Sequence, residues 1–308
     1  TKFIKSYRDL PVLAYQFQKK FRNETRAKSG IMRCREFVMK DLYSFHATQE
    51  DLEKFYAEAL EAYMRVFTRC GVQARIVEAS GGAFTKKLSH EFQVLTDAGE
   101  DKILTSPSWR YGQNSEVATL TEGDPCPDHP NEKLEWRKGV EVGNIFDLGT
   151  KFSEAFGLVV TDENGERRPV LMGCYGIGVT RLVGTIVEAS HDDRGIIWPK
   201  QVAPYHVHLV SLRSKDEAVQ SRINEITLSL YEDLSKQGIE VLWDDRADAS
   251  PGEKFADADL IGLPLRLVVS EKTLKEDCVE WKERTGSEAS MVKLETDVVN
   301  NVKDFMTL

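Results

Sequence analysis

Residues 20–46, Lys-Phe-Arg-Asn-Glu-Thr-Arg-Ala-Lys-Ser-Gly-Ile-Met-Arg-Cys-Arg-Glu-Phe-Val-Met-Lys-Asp-Leu-Tyr-Ser-Phe-His, decide how the rest of the chain is read. Within residues 19–40 stand eight Lys/Arg and two acids, although the whole protein has a net charge of −9. The basic residues sit on two apolar-alternating segments joined by a polar turn, Asn23 to Gly30, which predicts an antiparallel hairpin holding cations over a polyanion. The guanidiniums of Arg22 and Arg33 suit a bidentate grip on a polyphosphate, and Phe37 offers a flat face to a base. Read alone, the cluster fits a solvated basic hairpin equally well.

A second stretch narrows the choice. Residues 172–188, Met-Gly-Cys-Tyr-Gly-Ile-Gly-Val-Thr-Arg-Leu-Val-Gly-Thr-Ile-Val-Glu, predict a glycine-rich strand running into an amphipathic helix that carries Arg181. Gly173, Gly176 and Gly178 lack a Cβ, so a ligand or a neighbouring backbone can come close. A tight strand-to-helix junction explains the same glycines. The spacing is not the dinucleotide fingerprint, and no acidic residue follows at the required distance.

Together the two stretches resemble motifs 2 and 3 of the class II aminoacyl-tRNA synthetases, in the wording of the bacterial-type prolyl-tRNA synthetases. Four further strings carry the resemblance: Ser89-His90-Glu91-Phe92, Val140 to Phe146, Leu148-Gly149-Thr150-Lys151-Phe152-Ser153, and Phe255 to Gly262. They follow in family order along nearly the whole chain. The resemblance implies an α+β fold: an antiparallel-sheet catalytic domain over residues 1–200, then a small α/β anticodon-binding domain over 204–308. It implies ATP-dependent activation of L-proline and its transfer to tRNA(Pro), with Mg²⁺ accompanying ATP, by a homodimer in the full-length parent.

Composition agrees with an ordinary globular protein, at 41% hydrophobic and 30% charged residues over 308 positions. No run of eighteen apolar residues and no charged-then-apolar leader is present, so membrane and secretory readings are set aside and a cytoplasmic location is expected. Five scattered cysteines suit reduced thiols.

Thr48-x-x-Asp51 predicts a capping box opening a helix to about Cys70, with Leu52, Phe55, Tyr56, Ala59, Leu60, Tyr63 and Phe67 as a core-facing stripe. Val72 to Ala79 reads as a strand, and Asp97–Lys138 as an irregular excursion. Past a boundary near Trp198–Pro204, strands and helices alternate: strands at His206–Leu212, Ile239–Asp244 and Leu265–Ser270, helices at Glu217–Gln237 and Lys254–Ile261. A hairpin (Cys278–Lys282, Ser290–Leu294) and a helix from about Asp297 follow.

Activation joins a carboxylate to the α-phosphate of ATP and expels pyrophosphate, so the protein must hold two anions together and neutralise charge as it develops. By resemblance, Arg22 serves the α-phosphate and the amino-acid carboxylate, Arg33 and Arg181 the distal phosphates, Glu24 and Phe37 the adenine. Glu141 approaches ATP directly or through Mg²⁺. Asn144 stands where the family most often has His, and brings no titrating charge. The proline pocket is implied to include Arg22, His90, Glu91, Phe146 and Cys174. An inert buried thiol is the alternative for Cys174, and a structural imidazole for His90. In the second domain Arg246, Lys254, Phe255 and Asp257 match the family's anticodon-reading region, where stacking and edge hydrogen bonds read unstacked bases. Helix capping and surface ion pairs explain them equally. Cys126-Pro-Asp-His129 and His206-Val-His208 lack the second ligand pair of a zinc site, and no zinc is expected.

The chain begins after the family's motif 1 and its Thr-x-Glu loop, so the expectation is the C-terminal portion of a longer protein, which on its own lacks part of the substrate pocket and whose separate activity is left open. Between Gln93 and Gly139 there is no room for the family's editing domain. Two alternatives stay open: a non-catalytic tRNA-binding paralogue, and a class IIa synthetase for another amino acid such as threonine.

Overall fold

The two basic segments form an edge pair of strands. In the computed structural model, which describes residues 3–108, 110–294 and 298–307, β1 (Val12–Phe21) pairs antiparallel with β2 (Glu36–His46), Phe21 lying opposite Glu36. Residues 22–35 make the connection and include one 3₁₀ turn, Gly30–Met32, entered through Ser29 at φ 56°.

Helix α1 (Gln49–Arg69) follows, with Thr48 accepting from the Asp51 amide at 3.2 Å. The expected capping box is only half made. The Asp51 carboxylate turns instead to Nδ1 of buried His46, at 2.6 Å, because that imidazole is the stronger partner within reach. Leu52, Ala59, Tyr63 and Phe67 are buried along one face. Tyr63 and Phe67 meet Phe92 of the sheet at ring separations of 5.1 and 5.3 Å, and Phe55 meets Tyr175 edge-on. Each such buried ring contributes about 1.5–3 kcal/mol.

The sheet continues through β3 (Ala74–Ser80), β4 (Leu88–Leu95), β5 (Asp101–Thr105), β6 (Tyr111–Asn114) and β7 (Glu135–Gly149). After α2 (Lys151–Ala155) and the small hairpin of β8 (Val159–Thr161) and β9 (Arg167–Pro169) come β10 (Leu171–Ile177) and α3 (Val179–Ala189). The strand order is β1-β2-β10-β7-β4-β3-β6-β5, and β5 also pairs with the start of β7. Among the described residues of this sheet only β3 and β6 pair in parallel. The segment from Asp97 to Lys138 is therefore no mere excursion: it supplies β5, β6 and the first turns of β7. Strands of four and five residues are too short to show a period. Within it Cys126 is buried against Leu104 and Leu134.

The chain divides into two units, Thr1–Ala189 and Ser190–Leu308. The second opens with a hairpin, β11 (His191–Asp192) and β12 (Gly195–Ile196), then β13 (Val207–Ser211), α4 (Glu217–Lys236), β14 (Val241–Asp244), α5 (Pro251–Ile261) and β15 (Leu265–Val269). Short α6 (Glu271–Lys275), β16 (Cys278–Glu283), β17 (Ser290–Lys293) and α7 (Val298–Met306) complete it; Asp297 lies outside the described residues. Its sheet order is β14-β13-β15-β16-β17, parallel in the first three strands and antiparallel in the β15–β16 and β16–β17 pairings. Leu209, Ile223, Leu234 and Leu267 sit in its core. Helix α5 has a full capping box between Ser250 and Glu253, Pro251 at its first turn and left-handed Gly262 (φ 76°) at its end. No helix among the described residues is long and apolar enough to cross a membrane.

Candidate active site

The hairpin and the glycine strand meet around one cavity of about 430 Å³ in the first unit. Strands β1, β2, β7 and β10 line it, with the 22–35 connection at the rim and the start of α3 beside it. Arg22, Glu24, Arg33, Phe37, Glu141, Asn144, Phe146, Cys174 and Arg181 all face it.

Helix α3 approaches closely because residue 184 is glycine. A Cβ there would fall 2.6 Å from Met32 Sδ. Arg181 is fixed by this approach: its Nε donates to the Met32 carbonyl at 2.9 Å, and its Nη1 to the Glu141 carbonyl at 3.1 Å and carboxylate at 3.4 Å. Gly173 answers a different demand, since a Cβ would strike the Tyr175 hydroxyl and Ser44 Oγ. Gly176 and Gly178 border the cavity and leave room in it.

Arg33 is committed at both ends of its fork, to Glu24 at 3.1 Å and to Glu100 at 2.8 Å. The Arg33 guanidinium in turn holds the Glu24 carboxyl below its ordinary range. Lys28 also pairs with Glu100, at 3.0 Å. Among the described residues Arg22 makes no ion pair; its guanidinium lies 5.1 Å from the centre of the Phe37 ring. Arg22 and Arg33 thus face the cavity from the 22–35 connection, Lys20 from β1 and Arg181 from α3.

Behind Asn144 sits an acidic group. Asn144 Nδ2 donates to Glu91 at 3.5 Å, and Gln93 Nε2 to Glu91 at 2.9 Å and Asp101 at 2.8 Å. Burial lifts the Glu91 carboxyl, helped by the neighbouring Glu141. Burial also lifts Glu141, against the pull of Arg181. Glu91 therefore supports Asn144 from behind and does not itself line the cavity.

His90 is not brought to the cavity. Neighbours on a strand face opposite sides, and the His90 ring lies under α1, with Nδ1 2.8 Å from the Tyr56 hydroxyl. Burial lowers its affinity for a proton. The Cys174 thiol is pushed up to about 11 by burial, which keeps it protonated and a poor nucleophile at neutral pH.

In the second unit Lys254 is buried in the fold. Its Nζ donates to the carbonyls of Ser211 (2.9 Å) and Asp244 (3.1 Å), so it is unavailable to a ligand. Arg246 is half exposed and lies between Asp244 and Asp257, each 2.8 Å from Nη2. Phe255 is half buried under the Arg266 guanidinium, 4.4 Å from its ring centre. The sequence reading missed Asp41 and Glu100. An acid inside an apolar-alternating strand and one 67 residues from its partner give no local signal.

Among the described residues no group of three or more His, Cys, Asp or Glu is arranged to hold a metal. A Mg²⁺ ion carried on nucleotide phosphates needs only one or two protein carboxylates, and Glu141 at the cavity wall fits that need.

Residues 1–190 match the tRNA synthetase class II core domain of the Gly, His, Pro, Ser and Thr enzymes, and residues 206–304 an anticodon binding domain. The proline–tRNA ligase of Zymomonas mobilis is 40% identical over 95% of this chain and 70% of its own length. That of Paracoccus denitrificans is 39% identical over 94% of this chain and 68% of its own. The Bacillus mycoides protein of the same name is 33% identical, over 95% of this chain and 77% of its own. Its alignment extends over 441 positions, so it carries a domain-sized length of sequence that this chain lacks. With a class II core, an anticodon-binding domain and relatives of this similarity along almost all of its length, the chain belongs to the proline–tRNA ligase family of class II aminoacyl-tRNA synthetases.

Proposed function

We propose that the cavity activates L-proline with ATP and that the activated residue is passed to tRNA(Pro). The observation that carries this is the convergence of Arg22, Arg33 and Arg181 on one cavity beside Phe37. A proline carboxylate oxygen attacks the α-phosphorus, the bond to the β-phosphate breaks, and pyrophosphate leaves. The terminal ribose hydroxyl of tRNA then attacks the acyl carbon and releases AMP. The protein's work in the first step is to hold two anions in line and to neutralise them.

In this reading Arg22, free of any ion pair, takes the carboxylate and the α-phosphate. Arg181, pre-fixed by Met32 and Glu141, meets the distal phosphates together with Arg33. Phe37 stacks on the adenine, and Glu24 takes its exocyclic amine. Mg²⁺ held through Glu141 would screen the phosphate charge. Phe146 and Cys174 wall the proline end, as small apolar surfaces suit a pyrrolidine ring. In the second unit Arg246, Phe255 and Asp257 are the candidate readers of the anticodon, with a cytoplasmic homodimer as the working state.

Charging of a tRNA(Pro) transcript with labelled proline tests this reading. Proline- and ATP-dependent formation of prolyl-tRNA is expected; its absence with saturating substrates contradicts it.

A further inference from the structure

Strand β2 begins before β10 reaches it. The pairing of the two strands ends where Lys40 lies opposite Ile177, so Glu36 to Met39 extend past the end of β10. A backbone amide on that overhang needs an acceptor that no strand supplies. Val38 finds one in a side chain: its N–H donates to Thr180 Oγ1, in the first turn of α3, at 2.9 Å.

The chain neighbours of this bond both belong to the cavity. Phe37 precedes Val38 and Arg181 follows Thr180, and each lines it, whereas Thr180 does not. The start of α3 has other ties. The Gly178 N–H donates to the Val142 carbonyl at 3.0 Å, and Arg181 reaches Met32 and Glu141. Those run to β7 and to the 22–35 connection, but the Thr180 bond runs to β2 itself, one residue from the aromatic ring. A nucleotide has its base and its distal phosphates joined through one sugar, so a site that grips both ends must keep its two grips at a matching separation. A displacement of about 1 Å between such groups can cost on the order of 10²-fold in rate.

We propose that Thr180 is a positioning residue for the nucleotide: its hydroxyl fixes the strand that carries Phe37 against the helix that carries Arg181, and so sets the spacing between the base-stacking ring and the phosphate-binding guanidinium. This rests on the reading of the cavity as the activation site, with the adenine on Phe37 and the distal phosphates on Arg181.

The test is pyrophosphate exchange with wild type, Thr180→Val, Thr180→Ala and Thr180→Ser, with inorganic triphosphate as an inhibitor competing with ATP. Valine keeps the shape of threonine without the acceptor, and serine keeps the acceptor. Triphosphate meets the guanidinium but not the ring, so its binding does not depend on their spacing. The valine and alanine variants should raise the KM for ATP by about 10-fold, the scale of one backbone donor left unpaired. They should leave the KM for proline and the inhibition constant of triphosphate within about 3-fold, and the serine variant should stay within about 3-fold of wild type throughout. Equal weakening of ATP, triphosphate and proline would make Thr180 a support of the fold alone and overturn the proposal. An unchanged KM for ATP in the valine and alanine variants would overturn it too, as would a serine variant as impaired as the valine one. No proline-dependent exchange in wild type would overturn the functional reading itself, a different outcome from these.

Discussion

Arg181 and Met32 are joined across 149 residues of sequence by one hydrogen bond, the guanidinium Nε donating to the backbone carbonyl at 2.9 Å. That bond ties the start of α3 to the connection between β1 and β2. It orients the cation before any nucleotide arrives, which lowers the reorganisation needed at the moment of reaction.

Replacement of Arg181 by Ala removes the tie and, in the proposed function, a phosphate contact as well. The exchange rate is expected to fall ~10²-fold or more, comparable to losing an oxyanion donor. Arg181→Lys should recover little, since a single ammonium cannot serve Met32, Glu141 and a phosphate together. Exchange within a few-fold of wild type in either variant counts against the assignment.

Glu100 pairs with Arg33, the residue proposed for the distal phosphates, at 2.8 Å. The pair is about two-fifths exposed on each side, so its stability contribution is small, about 0–1 kcal/mol. Glu100→Gln should therefore leave folding intact and lower the KM for ATP, by about 2–5-fold, because Arg33 no longer has to be released. A raised KM would show that Glu100 positions Arg33 for the nucleotide and does not compete with it.

Lys254 and Arg246 should part company on mutation. Lys254→Met leaves two carbonyls and part of the buried Asp244 carboxylate unpaired, a loss of about 3 kcal/mol in the second unit. Arg246→Ala removes a half-exposed side chain and should cost less stability than Lys254→Met, while weakening tRNA binding in a salt-dependent manner. Denaturation curves and tRNA titrations on the two variants check the split. Similar stabilities for both would contradict it.

The opening stretch was legible because its chemistry is local. Arg22, Arg33 and Phe37 stand in a basic, alternating pattern, and Arg181 follows a glycine run that marks a close approach or a tight strand-to-helix junction. Ser89-His90-Glu91-Phe92 was legible only as a family string, with both His90 and Glu91 placed in the pocket, and the fold sends the histidine under the helix. Lys254 read as a surface cation because nothing near it in sequence announces the carbonyls of Ser211 and Asp244. Asp41 likewise finds Gln16 and Lys20 only across a strand pair.

His208 gives the second unit a pH dependence of definite sign. Burial pushes its imidazole down to about 4, with Asp244 opposing and Arg266 and Arg246 assisting. The unfolded ring titrates near ~6.5. As pH falls below that value the unfolded chain takes up the proton first, so stability drops from about 6.5 towards 4 by as much as ~3 kcal/mol. Asp244, held at about 2 by Arg246, acts in a separate window below its unfolded value and adds an acid limb there. Urea unfolding at pH 7, 5.5 and 4.5 should show the slope, and His208→Gln should flatten it; a slope unchanged in that variant places the titration elsewhere.

The central claim is that the cavity framed by Arg22, Arg33 and Arg181 activates proline. ATP–pyrophosphate exchange, run on the purified protein with each standard amino acid in turn, tests it most directly. The account predicts exchange that depends on proline and exceeds that with any other amino acid. Faster exchange with another amino acid, or none with proline at saturating ATP and Mg²⁺, would contradict it.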